Sequence, residues 1–173
     1  MLKSEVAEAL KRFEKHIQKE GRKILTQQGH VDTKKLYNTK FVTTKVMPNS
    51  ISIYFDLGTY GEYVDQGVKG KESSLKAPNS PYKFKDKKPP MKPLSEWAKR
   101  KGIRFRDVKG RYKKGNYESV GFWLQSLIYK TGMKPSLFFT KPFESAYKNL
   151  PDELADKYGL DSFNLIKDII RQP

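Results

Sequence analysis

Between Lys69 and Lys114 there are 17 Lys or Arg residues and four acids (Glu72, Asp86, Glu96 and Asp107), so this stretch carries +13 of the chain's net +16. Charge at that density cannot be buried, because an unpaired ammonium or guanidinium in an apolar interior costs several kcal/mol. The core must therefore come from the flanks, and the stretch must face solvent or an anionic partner. Pro78, Pro81, Pro89 and Pro90 interrupt residues 68–92, which predicts extended or partly disordered backbone there. Pro93 can open a short helix from Leu94 to Lys101, stopped by Gly102, with Leu94, Trp97 and Ala98 forming a docking face. Residues 103–116 alternate basic with apolar at first and then read as a Gly-flanked loop.

The flanks have readable periodicity. Over residues 3–28, Val6, Leu10, Phe13, Ile17 and Ile24 fall near one face with Ala9 beside them, which predicts an amphipathic helix weakened at Gly21 and ended at Gly29. A polar connection at 31–40 contains Leu36 and Tyr37. The runs Phe41–Val46 and Ser50–Asp56 alternate and are joined by Met47-Pro48-Asn49, the pattern of a β-hairpin. Tyr60–Gly67 reads as a short helix with Tyr60, Tyr63 and Val64 on one face. Glu118–Lys130 is a second firm helix. Thr140 can cap a third, through Leu150, with Pro151 as breaker. Asp152 can cap a further turn or two to Tyr158, stopped by Gly159, and Asp161 a last apolar segment that packs on this domain or on a neighbouring subunit.

The search for catalytic chemistry returns little. There is no cysteine, hence no disulfide or thiolate metal site. His16 and His30 lack metal-ligand spacing and offer little for a Ser-His-Asp set. Gly110–Gly115 spaces its glycines like a phosphate loop, but Asn116 follows where Lys and then Ser or Thr is required. Glu62 and Asp65 are acids three apart, read as the polar face of a short helix rather than as an acid/base pair. No catalytic, cofactor or metal residue is assigned, and a non-enzymatic protein is expected. No segment is long and apolar enough for a membrane span or has the apolar core of a signal peptide, which predicts a soluble protein.

Charge and rings point instead to partners. Tyr82, Phe84, Trp97, Phe105 and Tyr112 are interleaved among the cations, a pattern that suits stacking on bases with phosphate neutralisation, or anchoring of a long loop to protein. The candidate contacts are Lys83, Lys85, Lys87, Lys88, Trp97, Arg100, Lys101, Arg104, Arg106, Arg111, Lys113 and Lys114. Lys predominates, so DNA contact would be to the backbone without sequence reading. Hydrophobic residues make up only 36% of the 173, so the core is small and neighbours are expected to supply stability.

Two segments carry a resemblance. Tyr60-Gly61-Glu62-Tyr63-Val64-Asp65-Gln66-Gly67, after a hairpin, resembles the Y-A-x-Y-V-E-x-G signature of the tailed-bacteriophage neck and tail-completion (head–tail joining) proteins. Leu137-Phe138-Phe139-Thr140-Lys141-Pro142-Phe143-Glu144-Ser145-Ala146 is similar to that family's closing P-F-x-x-P-A segment. Gly61 stands for the usual Ala, Asp65 for Glu, and Glu144-Ser145 where a proline is frequent. The motif residues are Tyr60, Tyr63, Val64, Asp65, Gly67, Phe139, Pro142 and Phe143. The resemblance covers 3–67 and 117–150. It implies an α+β fold, with a small twisted, mainly antiparallel sheet packed by the N-terminal helix and two later helices. The chain would be one joining domain (1–173) with a basic arm inserted at 68–116 and a helical tail at 151–173. It also implies a structural virion protein at the head–tail junction, made in the host cytoplasm. Its partners would be ring neighbours of its own kind, portal, adaptor and tail proteins, and packaged double-stranded DNA, with no membrane. The alternatives are a tail terminator or a stand-alone nucleic-acid-binding protein. The basic stretch then reads as an intersubunit arm that also lines a DNA-containing channel.

Overall fold

The computed structural model describes residues 5–47, 50–112 and 116–170. Pro48 and Asn49 of the expected turn, and Lys113 and Lys114 of the expected contacts, lie outside them. The fold is α+β, with helix far outweighing strand, 54% to 11%. The strands form two separate antiparallel ribbons of two strands each rather than one sheet. The chain divides into two compact units, Met1–Gly61 with Leu137–Pro173, and Glu62–Ser136. The expected basic insertion belongs to the second. That unit carries 19 Lys or Arg against seven acids, a net +12, while the first has 16 against 12, a net +4.

In the first unit, α1 (Glu5–Gln27) buries Val6, Ala9, Leu10, Phe13, Ile17, Gly21 and Leu25. It runs unbroken through Gly21, and Leu25 replaces Ile24 in the buried stripe because it sits one turn beyond Gly21. The connection at 31–40 contains a single helical turn, α2 (Lys35–Asn38), which buries Leu36. The ribbon β1 (Val42–Met47) and β2 (Ser50–Phe55) pairs Val42 with Phe55 and Thr44 with Ile53. The side chain of Gln18 on α1 fastens the ribbon's entry, since its Nε2 donates to the Thr39 carbonyl (2.8 Å) and its Oε1 accepts from the Phe41 N–H (2.9 Å).

An aromatic cluster fills this unit. Phe41 meets Phe138 edge-on at 5.1 Å, and Phe55 meets Phe139 at 5.5 Å and Phe143 at 5.4 Å. Phe143 also touches Phe13 of α1 at 6.1 Å. Such edge contacts each add about 0.5–1.5 kcal/mol beyond their burial. The segment 137–139 is neither strand nor helix. It turns into α6 (Thr140–Tyr147), with Phe139 rather than Thr140 at the cap position.

The C-terminal segment departs from expectation. In place of two short capped helices there is one, α7 (Leu150–Ile170), which passes straight through Gly159. Pro151 does not break it. Pro151 lies in the first turn, where the missing N–H has no intrahelical acceptor to lose. α7 packs on α1, with Leu150 buried, Arg12 paired to Glu153, and Lys157 paired to Glu5 at 3.0 Å.

In the second unit, α3 (Gly58–Gln66, which begins in the first unit) leads into β3 (Val68–Lys69), paired with β4 (Gly132–Met133). α4 (Met91–Arg100) packs on α5 (Tyr117–Thr131). α4 starts three residues before the expected Leu94, since Pro93 is tolerated anywhere in a first turn. Asn116 caps α5 by accepting the Glu118 N–H at 3.2 Å.

Candidate interaction surface

The helix that carries the first motif turns a different face inward from the one the sequence suggests. Gly61, Val64 and Asp65 are buried, while Tyr60 and Tyr63 are 43% and 45% exposed. The inward stripe is displaced by one residue, which puts Asp65 at 1% exposure instead of on a solvated face. Val64 accepts from both the backbone N–H (3.0 Å) and the hydroxyl (2.8 Å) of Ser136. Gly67 has a φ of +70° and leaves so little room that a Cβ would lie 2.6 Å from the Met133 carbonyl oxygen. Only glycine meets both conditions. The first motif therefore fastens the β3–β4 ends together. Glu62, unlike Asp65, is exposed. It accepts the Tyr82 hydroxyl at 2.6 Å, which raises the phenol's pKa above its ordinary value, and the Tyr82 ring sits 4.6 Å from Tyr63. Phe139, Pro142 and Phe143 of the second motif lie in the first unit's aromatic cluster and α6, with Pro142 buried.

Over 68–90 the basic stretch is not the extended or partly disordered backbone expected: it turns at Ser74–Ala77 and Ala77–Ser80, comes back to Lys69 at Tyr82, buries Ala77 and Ser80, and is held by hydrogen bonds along its length. Lys69 donates to the Tyr82 carbonyl (2.9 Å) and accepts from Phe84 (3.0 Å). The N–H of Lys71 donates to Tyr129 (2.8 Å), and those of Glu72 and Ser73 to Lys130 (3.1 and 3.2 Å). Tyr129 on α5 is the hub. Its hydroxyl donates to the Lys85 carbonyl at 2.6 Å, its ring meets Phe84 at 6.0 Å, and the ammonium groups of Lys71 and Lys88 lie 5.6 and 5.7 Å from its centroid. The Gln125 amide donates to the Pro89 carbonyl at 2.6 Å. Nothing in the sequence around Tyr129 signals this role, because its partners Lys88, Lys85, Phe84 and Lys71 lie 41 to 58 residues upstream.

Residues 106–112 close a small hairpin. Asp107 Oδ1 accepts from the N–H groups of Lys109 (2.9 Å) and Arg111 (2.8 Å), and Arg106 covers the Tyr112 ring at 4.6 Å. Arg104 donates to the Tyr117 hydroxyl at 3.1 Å, which raises the guanidinium pKa.

The interleaved rings are thus largely committed to the protein itself. Tyr82 lies against Tyr63, Phe84 against Tyr129, and Phe105 against Trp123 (5.9 Å); Trp97 is half-buried in α4. Tyr112, 60% exposed, keeps a largely open face. The cations Lys83, Lys85, Lys87, Lys88, Arg100, Lys101, Arg104, Arg106 and Arg111 are exposed, as the sequence suggests. Exposed cations thus outnumber exposed rings on this surface, where Tyr112 is the one of the five interleaved rings that is largely exposed. Beside it, α5 leaves Phe122, Trp123 and Leu127 exposed at 58%, 47% and 36%.

Among the described residues no cluster of three metal-ligating side chains occurs, and no helix is long and apolar enough to cross a membrane. Compared with models of protein families, with curated proteins and with solved structures, the chain has no match.

Proposed function

We propose that this chain is a structural, non-enzymatic component of a tailed-bacteriophage neck, which forms or decorates a ring at the head–tail junction around the DNA channel. The single observation that carries this reading is an unfinished sheet. β2 pairs with β1 alone among the described residues, and Ile51, Tyr54 and Phe55 on it are 42%, 51% and 48% exposed. A two-stranded ribbon is marginal by itself, and an edge strand with half-exposed apolar side chains is a template for another chain. Exposed Phe122 and Trp123 on α5 give the second unit an apolar surface of its own. These features support a protein completed by its neighbours. The resemblance of Tyr60–Gly67 and Leu137–Ala146 to the head–tail joining proteins supports which assembly this is. The cations of the second unit then serve the next subunit, the portal or tail, or the DNA in the channel. A ring interface is heterologous, so a basic surface and an apolar edge on one copy can meet different surfaces on the next.

Negative-stain electron microscopy of the purified protein tests the proposal. Annular particles of uniform diameter are expected. A field of particles no larger than one copy, at concentrations where the protein is micromolar, would contradict it.

A further inference from the structure

Away from the basic stretch, α1 carries its own cationic face. Lys11, Lys15, Lys19 and Lys23 recur every four residues, about 6 Å apart along the helix axis, and Arg22 lies among them. This face is opposite the buried stripe of Val6, Phe13 and Ile17. Between α1 and Tyr37 there is an open groove of about 680 Å³, lined by Lys15, Gln18, Lys19, Arg22, Lys23 and Tyr37, among others. All of these belong to the first unit.

Several details set this groove apart from a merely solvated face. The guanidinium of Arg22 is held in place. Its Nε donates to the Tyr37 carbonyl at 2.9 Å, and its carbon lies 5.2 Å from the Tyr37 ring centroid. That leaves the two terminal amino groups as a fork of the kind that grips a phosphate with two parallel hydrogen bonds. The Gln18 wall is fixed by its bonds to Thr39 and Phe41. Of the neighbouring acids, Glu14 is engaged outside the groove, with Thr44 and Lys40, while Glu20 pairs with Lys23 at 3.5 Å and offsets that one cation, leaving Lys15, Lys19 and Arg22 to carry the charge.

We infer that this groove binds the phosphate backbone of double-stranded DNA, without reading sequence. A row of evenly repeated cations matches a polyanion of evenly repeated charge, and each neutralised phosphate releases counterions. Tyr37, the one ring lining the groove, already has Arg22 over one of its faces, so the groove offers little for an unpaired base to stack on. That favours duplex over single strand. The inference does not depend on the neck reading, since a stand-alone protein would bind in the same way.

The test is fluorescence anisotropy with a labelled duplex of arbitrary sequence between 50 and 200 mM salt. The wild-type chain is compared with Lys15→Gln/Lys19→Gln, and with Lys141→Gln/Lys148→Gln, at the start and just past the end of α6, as an equal-charge control. All four lysines are exposed, so the fold is expected to persist, and each thermal midpoint checks this. The groove pair is expected to lower affinity by about tenfold at the low-salt end and to reduce the slope of log affinity against log salt by about 2. The control pair is expected to change neither. Arg22→Lys keeps the charge but loses the fork, so affinity falls with the slope unchanged. Absence of duplex binding by the wild type, or an equal effect of the control pair, would overturn the inference. So would poly-glutamate binding as tightly as duplex with the same sensitivity to the groove pair, which would give the groove to an acidic protein. Light-scattering mass of the groove variant, measured separately, stays at the wild-type value, so failure here and failure of the ring reading are distinct.

Discussion

Glu14 of α1 accepts both the backbone N–H and the hydroxyl of Thr44 in β1, so one carboxylate ties the long helix to the ribbon. Burial raises its pKa, but the two Thr44 bonds and the charge of Lys40 together outweigh burial and leave it below the ordinary value of 4.5. A carboxyl whose folded pKa is depressed contributes stability that is present above the unfolded pKa and is lost as pH falls through the folded one. Denaturant unfolding of wild type and Glu14→Gln is therefore expected to differ at pH 7 and to converge below about pH 4.5. Glu14→Ala leaves Thr44 without its acceptor and is expected to cost about 1–3 kcal/mol at pH 7. A gap between wild type and Glu14→Gln that does not shrink with acid would show that the charge contributes nothing.

Gly121 of α5 meets Ser95 of α4 so closely that a Cβ would stand 1.9 Å from Ser95 Oγ and 3.1 Å from its Cα. Gly121→Ala is expected to destabilise the second unit by about 1–3 kcal/mol, as overpacking does. Ser95→Ala in the same chain is expected to recover part of that loss, giving a non-zero coupling in a double-mutant cycle. Additive effects would mean that the two helices separate freely.

Tyr129→Phe removes the hydrogen bond to Lys85 and keeps the ring against Phe84. A loss of about 1 kcal/mol is expected, together with faster proteolysis between Lys83 and Lys92, read by mass spectrometry of the first cleavage products. An unchanged cleavage pattern would remove Tyr129 from its place as the anchor of this segment.

Gly159 lies inside α7 with nothing within 4 Å of where a Cβ would be. Gly159→Ala is expected to raise stability by roughly 0.5–1 kcal/mol, because the helix no longer has to restrict the most flexible residue. A lower thermal midpoint would contradict an uninterrupted helix.

The long helix, the hairpin and the Glu118 helix are legible because their periodicity runs unbroken over a window longer than any single punctuating residue. α7 was not legible as one helix. Gly159 and Asp161 look like stop and start signals, but local preference of about 1 kcal/mol is overridden once Leu150, Glu153 and Lys157 pack and pair along α1. The burial of Asp65 was hidden for a related reason. A carboxylate reads as solvent-facing, and nothing in the local sequence signals that this helix turns Gly61, Val64 and Asp65 inward. The exposure of the cations between Lys83 and Arg111 could be read from charge alone. The commitment of Tyr82, Phe84 and Phe105 could not, since Tyr63, Tyr129 and Trp123 lie 18 to 45 residues away in the chain. The groove at Arg22 and Tyr37 is not legible in the sequence because its cations look like the solvated face of an amphipathic helix until Tyr37 is placed beside them.

The most direct measurement of the assembly reading is the molar mass of the purified chain by light scattering at micromolar concentration, without DNA. A ring-forming protein completed by its neighbours is expected at a whole-number multiple, greater than one, of 20.1 kDa. A single species at 20.1 kDa that grows only when DNA is added would contradict it.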